Sequence, residues 1–288
     1  MNVLVIGAGM YVTGREGSGC GTILSSLAEC SKTIQIQKVT ILGKKNENAE
    51  AVKNASDRIN STIGASLHVE YCPVSGEIAL DIENLCSKSN YDCAIISTPD
   101  HLHHPFAVAL LKEGVPILVV KPLTPTLAEA KELVELQDEM GVYAAVEFHK
   151  RWDATNLWIA SSISSSLLGK LQYITVEYSQ KISMPQMTFK EWSDKTNIFQ
   201  YLGVHYVDLV YFITGFMPVK AMAVGTQGIL KKSGISKWDS IHATVLWKEQ
   251  ADSEDLLVSH FTTRWIDPVC TRAISDQKYK VIGTRRRS

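Results

Sequence analysis

Val3-Leu4-Val5-Ile6-Gly7-Ala8-Gly9-Met10-Tyr11-Val12-Thr13-Gly14, close to the start of the chain, is the stretch on which the reading of the fold turns. Four consecutive apolar residues that stop at a glycine-rich turn mark a strand buried on both faces and feeding a helix. Outward from it, the same alternation repeats. Residues 22–29 carry Ile23, Leu24 and Leu27 on one helical face, and residues 39–42 form a second apolar strand. Residues 47–59 read as a polar helix, residues 67–71 alternate as a third strand, and residues 94–96 form a fourth that Ser97-Thr98-Pro99 stops. A helix over 104–112 ends near Gly114, and a fifth strand over 117–120 ends at Pro122. Thr126 and Glu129 are spaced as a capping box for a helix that Gly141 closes, and residues 142–146 make a sixth strand. Strands that alternate with helices imply a parallel, doubly wound α/β sheet.

After about Asp153 the pattern changes. Long β-rich runs at 171–181, 219–226, 241–248, 256–263 and 279–282 surround one helical stretch, 201–214, that ends at Gly215. Strands in series with a single helix imply an α+β domain on a large, mostly antiparallel open sheet. A chain of 288 residues exceeds what one core usually serves, so two domains are expected, residues 1–150 and 151–288. The last strand runs into Arg285-Arg286-Arg287-Ser288, read as a solvated tail on a second domain that is short or truncated.

The charge balance, 29 basic against 30 acidic residues, points to neither nucleic acid nor membrane as a partner. No apolar run approaches the ~20 residues of a membrane span. The first residues lack the basic region of a secretion signal. Six scattered cysteines, with no Cys-x-x-Cys pair, signal no zinc site or redox dithiol and fit a reducing, cytoplasmic setting.

Six segments carry chemistry. The turn Gly7-Ala8-Gly9-Met10-Tyr11 lets backbone approach a pyrophosphate at a helix start, although Val12 stands where a full dinucleotide fingerprint has its third glycine. The end of the second strand is Leu42-Gly43-Lys44-Lys45, with no acid to take a ribose 2′-hydroxyl and two lysines that favour a 2′-phosphate; the cofactor is therefore NADP or NAD, with NADP slightly favoured. Thr98, Pro99 and His101 lie in a loop at the carboxyl end of a strand, where ligands bind in open α/β folds; its histidines are read as lining the cofactor, with no metal. Lys121 closes a buried apolar strand, a costly place for an ammonium and a suitable one for a group that holds the proton of a reacting hydroxyl. His149, Lys150, Arg151 and Trp152 join the two domains and suit a polar, ringed ligand. Tyr201 and His205 share a helical face at i and i+4 as a proton relay, with Asp208 one turn on to orient the histidine.

Taken in order, Gly7-Ala8-Gly9, Ser97-Thr98-Pro99-Asp100-His101, Lys121-Pro122, Phe148-His149-Lys150-Arg151 and Gly203-Val204-His205-Tyr206-Val207-Asp208-Leu209 resemble the glucose–fructose oxidoreductase and inositol dehydrogenase (Gfo/Idh/MocA) family. The resemblance implies an N-terminal Rossmann dinucleotide-binding domain and a C-terminal domain that binds substrate and builds a homo-oligomer, a dimer or tetramer, through its open sheet. It implies NAD- or NADP-dependent oxidation of a secondary hydroxyl on a sugar or cyclitol, with Lys121 and His205 on the family's catalytic lysine and histidine. Val120 replaces the family's glutamate before the lysine, and Tyr201 stands where many members carry aspartate. An alternative on the same fold is a sensor or regulator that binds the cofactor without turnover.

Overall fold

The computed structural model describes residues 1–14, 19–44 and 48–285. Lys45, expected at the cofactor, the glycine-flanked residues 15–18 and the basic end at 286–288 lie outside the described residues. The chain divides into two compact units, Met1–Glu147 and Phe148–Ser288.

The first unit runs β1 (Asn2–Ile6), α1 (Met10–Thr13), α2 (Thr22–Cys30), β2 (Lys38–Gly43), α3 (Asn48–Ile63), β3 (Val69–Pro73), α4 (Ile78–Lys88), β4 (Cys93–Ile96), α5 (His103–Lys112), β5 (Ile117–Val120), α6 (Leu127–Met140) and β6 (Ala144–Glu147). Its six strands are ordered β3-β2-β1-β4-β5-β6 and pair in parallel throughout. This is the doubly wound Rossmann order, in which the chain reverses direction between β1 and β4. Successive side chains of each strand enter opposite layers. Leu4, Ile6, Ala94, Ile96 and Val119 pack with α5 and α6, whereas Val3, Val5, Val39, Ile41 and Ile95 pack with α2 and α3. The strands are apolar on both faces because both faces are covered.

Local chemistry explains the elements. Thr126 Oγ1 accepts from Glu129 N–H at 3.3 Å, Glu129 Oε2 accepts from Thr126 N–H at 3.1 Å, and Gly141 closes α6 in the left-handed conformation. One element of this unit was missed in the sequence. The helix α4 was not anticipated, although Ile78, Ile82, Leu85 and Cys86 recur at helical spacing and pack into the core beside α5. The turn after β1 leads into the single turn of α1, and α2 starts afresh at Thr22, as expected from the sequence. Val12 is fully buried in the core of α1–α3, so a side chain fits at the third fingerprint position. The close approach has moved to Gly21, where a Cβ would lie 2.0 Å from the Val12 carbonyl oxygen.

The second unit begins with a 3-10 turn at His149–Trp152, α7 (Ala154–Ser164) and β7 (Leu171–Lys181). A π-turn at Phe199–Gly203 leads into α8 (Val204–Thr214), followed by β8 (Met217–Thr226), α9 (Ile229–Lys232), β9 (Ser240–Lys248), β10 (Leu257–Asp267) and β11 (Ser275–Gly283). The five strands are ordered β11-β7-β10-β9-β8, all antiparallel except the central β7–β10 pair. One face of the sheet carries the core: Leu257, Phe261 and Trp265 of β10 and Val245 and Trp247 of β9 pack with Leu209, Val210 and Ile213 of α8. β8, at the sheet edge, is exposed along nearly its whole length.

Candidate functional site

In a parallel sheet every strand ends at the same edge, so the loops expected to carry chemistry in the first unit converge there. Gly7–Tyr11 follow β1, Lys44 follows β2, Thr98–His101 follow β4, Lys121 follows β5, and Glu147 closes β6. The loops after β1 and β4 meet at the point where the strand order reverses, the position at which open α/β sheets bind ligands.

The backbone there is pressed close. Gly7 has φ +108°, and a Cβ on it would lie 2.2 Å from the Ser97 carbonyl oxygen, so only glycine fits. Gly7 N–H donates to Leu42 O at 2.8 Å and Ser97 N–H donates to Ile6 O at 2.8 Å, tying the turn to both neighbouring strands. Gly9 is the opposite case. It precedes α1 with φ −78°, and a Cβ on it would meet nothing within 4 Å. The backbone at this turn therefore faces open space with no side chain of its own, which is what close approach of a pyrophosphate needs. Val12 and Thr13 N–H both donate to the Gly9 carbonyl, at 2.9 and 3.0 Å, and fix the turn.

Tyr11 hydroxyl donates to Glu147 Oε1 at 3.2 Å. Burial, with the carboxylate beside it, raises its pKa well above the ordinary phenol range, so it stays a donor. Lys121 is half-buried at the end of β5. The turn it opens is anchored by His103, a buried residue at the start of α5: its Nδ1 lies 2.7 Å from the Pro122 carbonyl oxygen and its Nε2 lies 2.9 Å from the Thr98 carbonyl oxygen. One imidazole thus bridges the Thr98 loop and the Lys121 turn. Burial pushes its pKa below the ordinary histidine value, opposed by the two carbonyls and by buried Asp100. The sequence marked this loop through His101; the clamp is His103, and its partners are backbone carbonyls that no side-chain motif reveals.

In the second unit, His205 is 4% exposed on the first turn of α8. Its ring meets His149 edge-on at 4.8 Å between centroids and lies 6.4 Å from the ring of Tyr178 on β7. Burial holds the Tyr178 pKa up at about 12, which keeps this neighbour of the histidine protonated. Tyr178 went unmarked in the sequence because it sits among the alternating residues of a strand. The Tyr201 ring packs against Phe189 at 4.9 Å and Trp192 at 6.1 Å. It belongs to a π-turn that runs directly into α8, so Tyr201 and His205 lie four residues apart across the junction at Gly203.

The cluster 149–152 separates by role. His149 is exposed beside His205. Lys150 is buried; its ammonium donates to Gln277 of β11 and lies 5.5 Å from the ring centres of Tyr178 and Tyr206, and burial lowers its pKa. Arg151 forms a two-pronged ion pair with Asp208, with Nε donating to Oδ2 at 2.8 Å and a second donation from its terminal nitrogen to Oδ1. Its guanidinium also lies 5.4 Å from the ring centre of Phe148 and 5.3 Å from that of Phe212. The expectation that Asp208 orients His205 is thereby corrected: both its oxygens serve Arg151. Trp152 is 69% exposed, its ring edge-on to Phe212 at 5.9 Å. Among the described residues no group of three His, Cys, Asp or Glu is arranged to hold a metal ion.

The model of the oxidoreductase family with an NAD-binding Rossmann fold matches residues 1–148, just over half of the chain. The chain belongs to the Gfo/Idh/MocA oxidoreductase family. Among its curated relatives is a Bacillus subtilis scyllo-inositol 2-dehydrogenase (NADP(+)), 26% identical over 59% of this chain and 46% of that protein. Another is an Arthrobacter inositol 2-dehydrogenase, 25% identical over 62% of this chain and 54% of its own. The chain thus matches about half the length of these curated relatives. A Lactobacillus casei scyllo-inositol dehydrogenase, solved with NAD(H) and scyllo-inositol, shares the fold at TM-score 0.66 and 14% identity over 100% of this chain and 74% of that one. For a Gfo/Idh/MocA protein the first unit fits a dinucleotide: the glycine turn is bare where a Cβ at Gly9 would find only space, and no carboxylate stands at Gly43 to repel a 2′-phosphate. Among the described residues no helix is long and apolar enough to cross a membrane.

Proposed function

We propose that this family member moves hydride between a nicotinamide cofactor, NADP in preference to NAD, and a secondary hydroxyl of a sugar, sugar derivative or cyclitol. The observation that carries the reading is the meeting, at one sheet edge, of the bare Gly7–Gly9 turn and the half-buried Lys121. The names of the inositol dehydrogenase relatives support the substrate class. The cofactor, when bound, supplies the acceptor or donor of hydride.

The remaining work falls to the chain. Gly7, Gly9, Met10 and Tyr11 cradle the dinucleotide; Lys44 and Lys45 favour its 2′-phosphate; Thr98, Pro99 and His101 line it. Lys121 holds the hydroxyl proton at its Nζ, and His103 keeps the Lys121 turn in place. His205 is the second proton-carrying group, with Tyr201 assisting it or hydrogen-bonding the substrate. His149, next to it, contacts substrate, with Trp152 exposed nearby in sequence. Lys150 and Arg151 each give part of their donors to Gln277 and Asp208, which holds that segment in shape, and their remaining donors bind substrate. The working protein is a cytoplasmic homo-oligomer; the exposed β8, with Met217, Val219, Met222 and Val224 open to solvent, supports assembly through this sheet.

General acid–base help is worth roughly 10²–10⁴-fold. Lys121→Ala is expected to lower turnover by about that factor while NADP affinity, measured by calorimetry, stays within about twofold of wild type, well under the tenfold that ~1.4 kcal/mol represents. Undiminished turnover in the variant removes the lysine from the mechanism.

A further inference from the structure

β2 and β3 pair in parallel with Ile41 opposite Tyr71 and Gly43 opposite Pro73. Residues two apart on a strand share a face, so Ile41, Gly43 and Tyr71 all face the α2–α3 layer. The Tyr71 side chain leans along its strand and crosses to its neighbour. A Cβ built on Gly43 would lie 2.6 Å from Tyr71 Oη, 2.9 Å from Cε2 and 3.1 Å from Cζ. The first two distances are shorter than real Cβ atoms show, so the phenol, as it stands, fills the place of a side chain at position 43, and such a side chain would have to push the ring aside.

That position matters. In dinucleotide-binding folds the residue that ends the second strand is commonly an acid that hydrogen-bonds the ribose 2′-hydroxyl. Here the chain does more than omit the acid: Gly43 gives up its side chain and Tyr71, from the next strand, brings a hydroxyl donor to the same spot. Tyr71 is half-buried, and its hydroxyl lies beside Gly43, the residue that ends β2 at this edge of the sheet. Lys44, the next residue, is exposed and adds a positive charge. A donor without negative charge, beside a lysine, suits a phosphate monoester and gives a bare 2′-hydroxyl no acceptor of the usual kind.

We propose that Tyr71 is a specificity-determining residue for the adenosine end of the cofactor, its ring filling the place beside Gly43 and its hydroxyl donating to the ribose 2′-phosphate. The proposal rests on the NADP preference above and names the group that enforces it.

The test uses binding alone, with 2′,5′-ADP and 5′-ADP as probes titrated by calorimetry into the full chain. Wild type is expected to bind 2′,5′-ADP more tightly. Tyr71→Phe keeps the ring and removes the donor; it should weaken 2′,5′-ADP by about tenfold, as for one hydrogen bond to a charged group, and leave 5′-ADP unchanged. Gly43→Asp with Tyr71→Ala clears the space for a carboxylate and should reverse the preference toward 5′-ADP. If wild type binds 5′-ADP as tightly as 2′,5′-ADP, the NADP reading falls and Tyr71 with it. If wild type prefers 2′,5′-ADP and Tyr71→Phe and Tyr71→Ala both keep that preference within about twofold, the NADP reading stands on the lysines and the role of Tyr71 is overturned. Should the double variant fail to fold, the Tyr71→Phe comparison decides alone.

Discussion

Replacing Gly7 and Gly9 separately by alanine separates what the glycine turn does for folding from what it does for binding. At Gly7 the backbone has φ +108°, and the new methyl would stand 2.2 Å from the Ser97 carbonyl oxygen and 2.9 Å from its carbon, both backbone atoms that no rotamer change can move. The left-handed conformation costs an L-residue roughly 1–2 kcal/mol. Forcing the β1 and β4 loops apart costs about 1–3 kcal/mol more, as over-packing does elsewhere. A destabilisation of roughly 2–5 kcal/mol follows, and in a domain of this size each kcal/mol lowers the melting temperature by about 2–4 °C. At Gly9 φ is −78° and the methyl meets nothing. The loss of unfolded-state freedom stabilises by about 0.4–1 kcal/mol, and a poorer helix cap removes a few tenths, so the melting temperature should scarcely change. Yet that methyl stands in the open space before the turn, and NADP affinity should fall by about tenfold or more, the equivalent of ~1.4 kcal/mol. Thermal melts of the free protein and calorimetric titration with NADP read the two effects independently. A Gly9→Ala protein that binds NADP as wild type does would refute the cradle, and a Gly7→Ala protein that melts as wild type does would refute the packing argument.

Other outcomes follow from particular contacts. Asp208→Asn should lower stability by about 1–3 kcal/mol in denaturant titrations, because it weakens a partly buried bidentate pair, and should leave the pH–rate profile in place; a displaced profile would return Asp208 to His205. Burial lowers the His103 pKa in the folded chain below its ordinary 6.5. Its contribution to stability is then full above pH 6.5 and is lost as pH falls through 6.5 toward the lower folded value. His103→Gln should flatten that acid limb in melts across pH, and an unchanged limb would contradict the assignment. Trp265, fully buried on β10 with its indole N–H donating to Trp238 O at 2.9 Å, should cost about 3–5 kcal/mol as Trp265→Ala, read by denaturant unfolding.

Much of this was legible because some physics is local. Buried parallel strands print as unbroken apolar runs, and the Thr126–Glu129 capping box and Gly141 stop depend only on residues three to a few positions apart. The sheet's parallel order followed from alternation, and with it the edge at which the conspicuous loops gather. What escaped depends on distance or on contrast. α7, rich in Ala and Ser, shows little difference between its faces and was passed over. The partner of Asp208 is Arg151, 57 residues away, and that of Lys150 is Gln277, 127 residues away; neither pairing leaves a trace in spacing. The π-turn at Phe199–Gly203, ahead of α8, was read as part of one regular helix, because nothing in the residue spacing distinguishes the two. Tyr71 read only as one residue of an alternating strand, because its meaning lies in the missing side chain of Gly43 beside it.

The most direct test of the central claim mixes the wild-type chain with NADP or NAD and a panel of inositols, aldoses and their derivatives, and follows the absorbance of reduced nicotinamide. The account predicts reduction with at least one polyol carrying a secondary hydroxyl, faster with NADP than with NAD, and lowered about 10²–10⁴-fold by Lys121→Ala. Saturable cofactor binding with no reduction across the whole panel would contradict it.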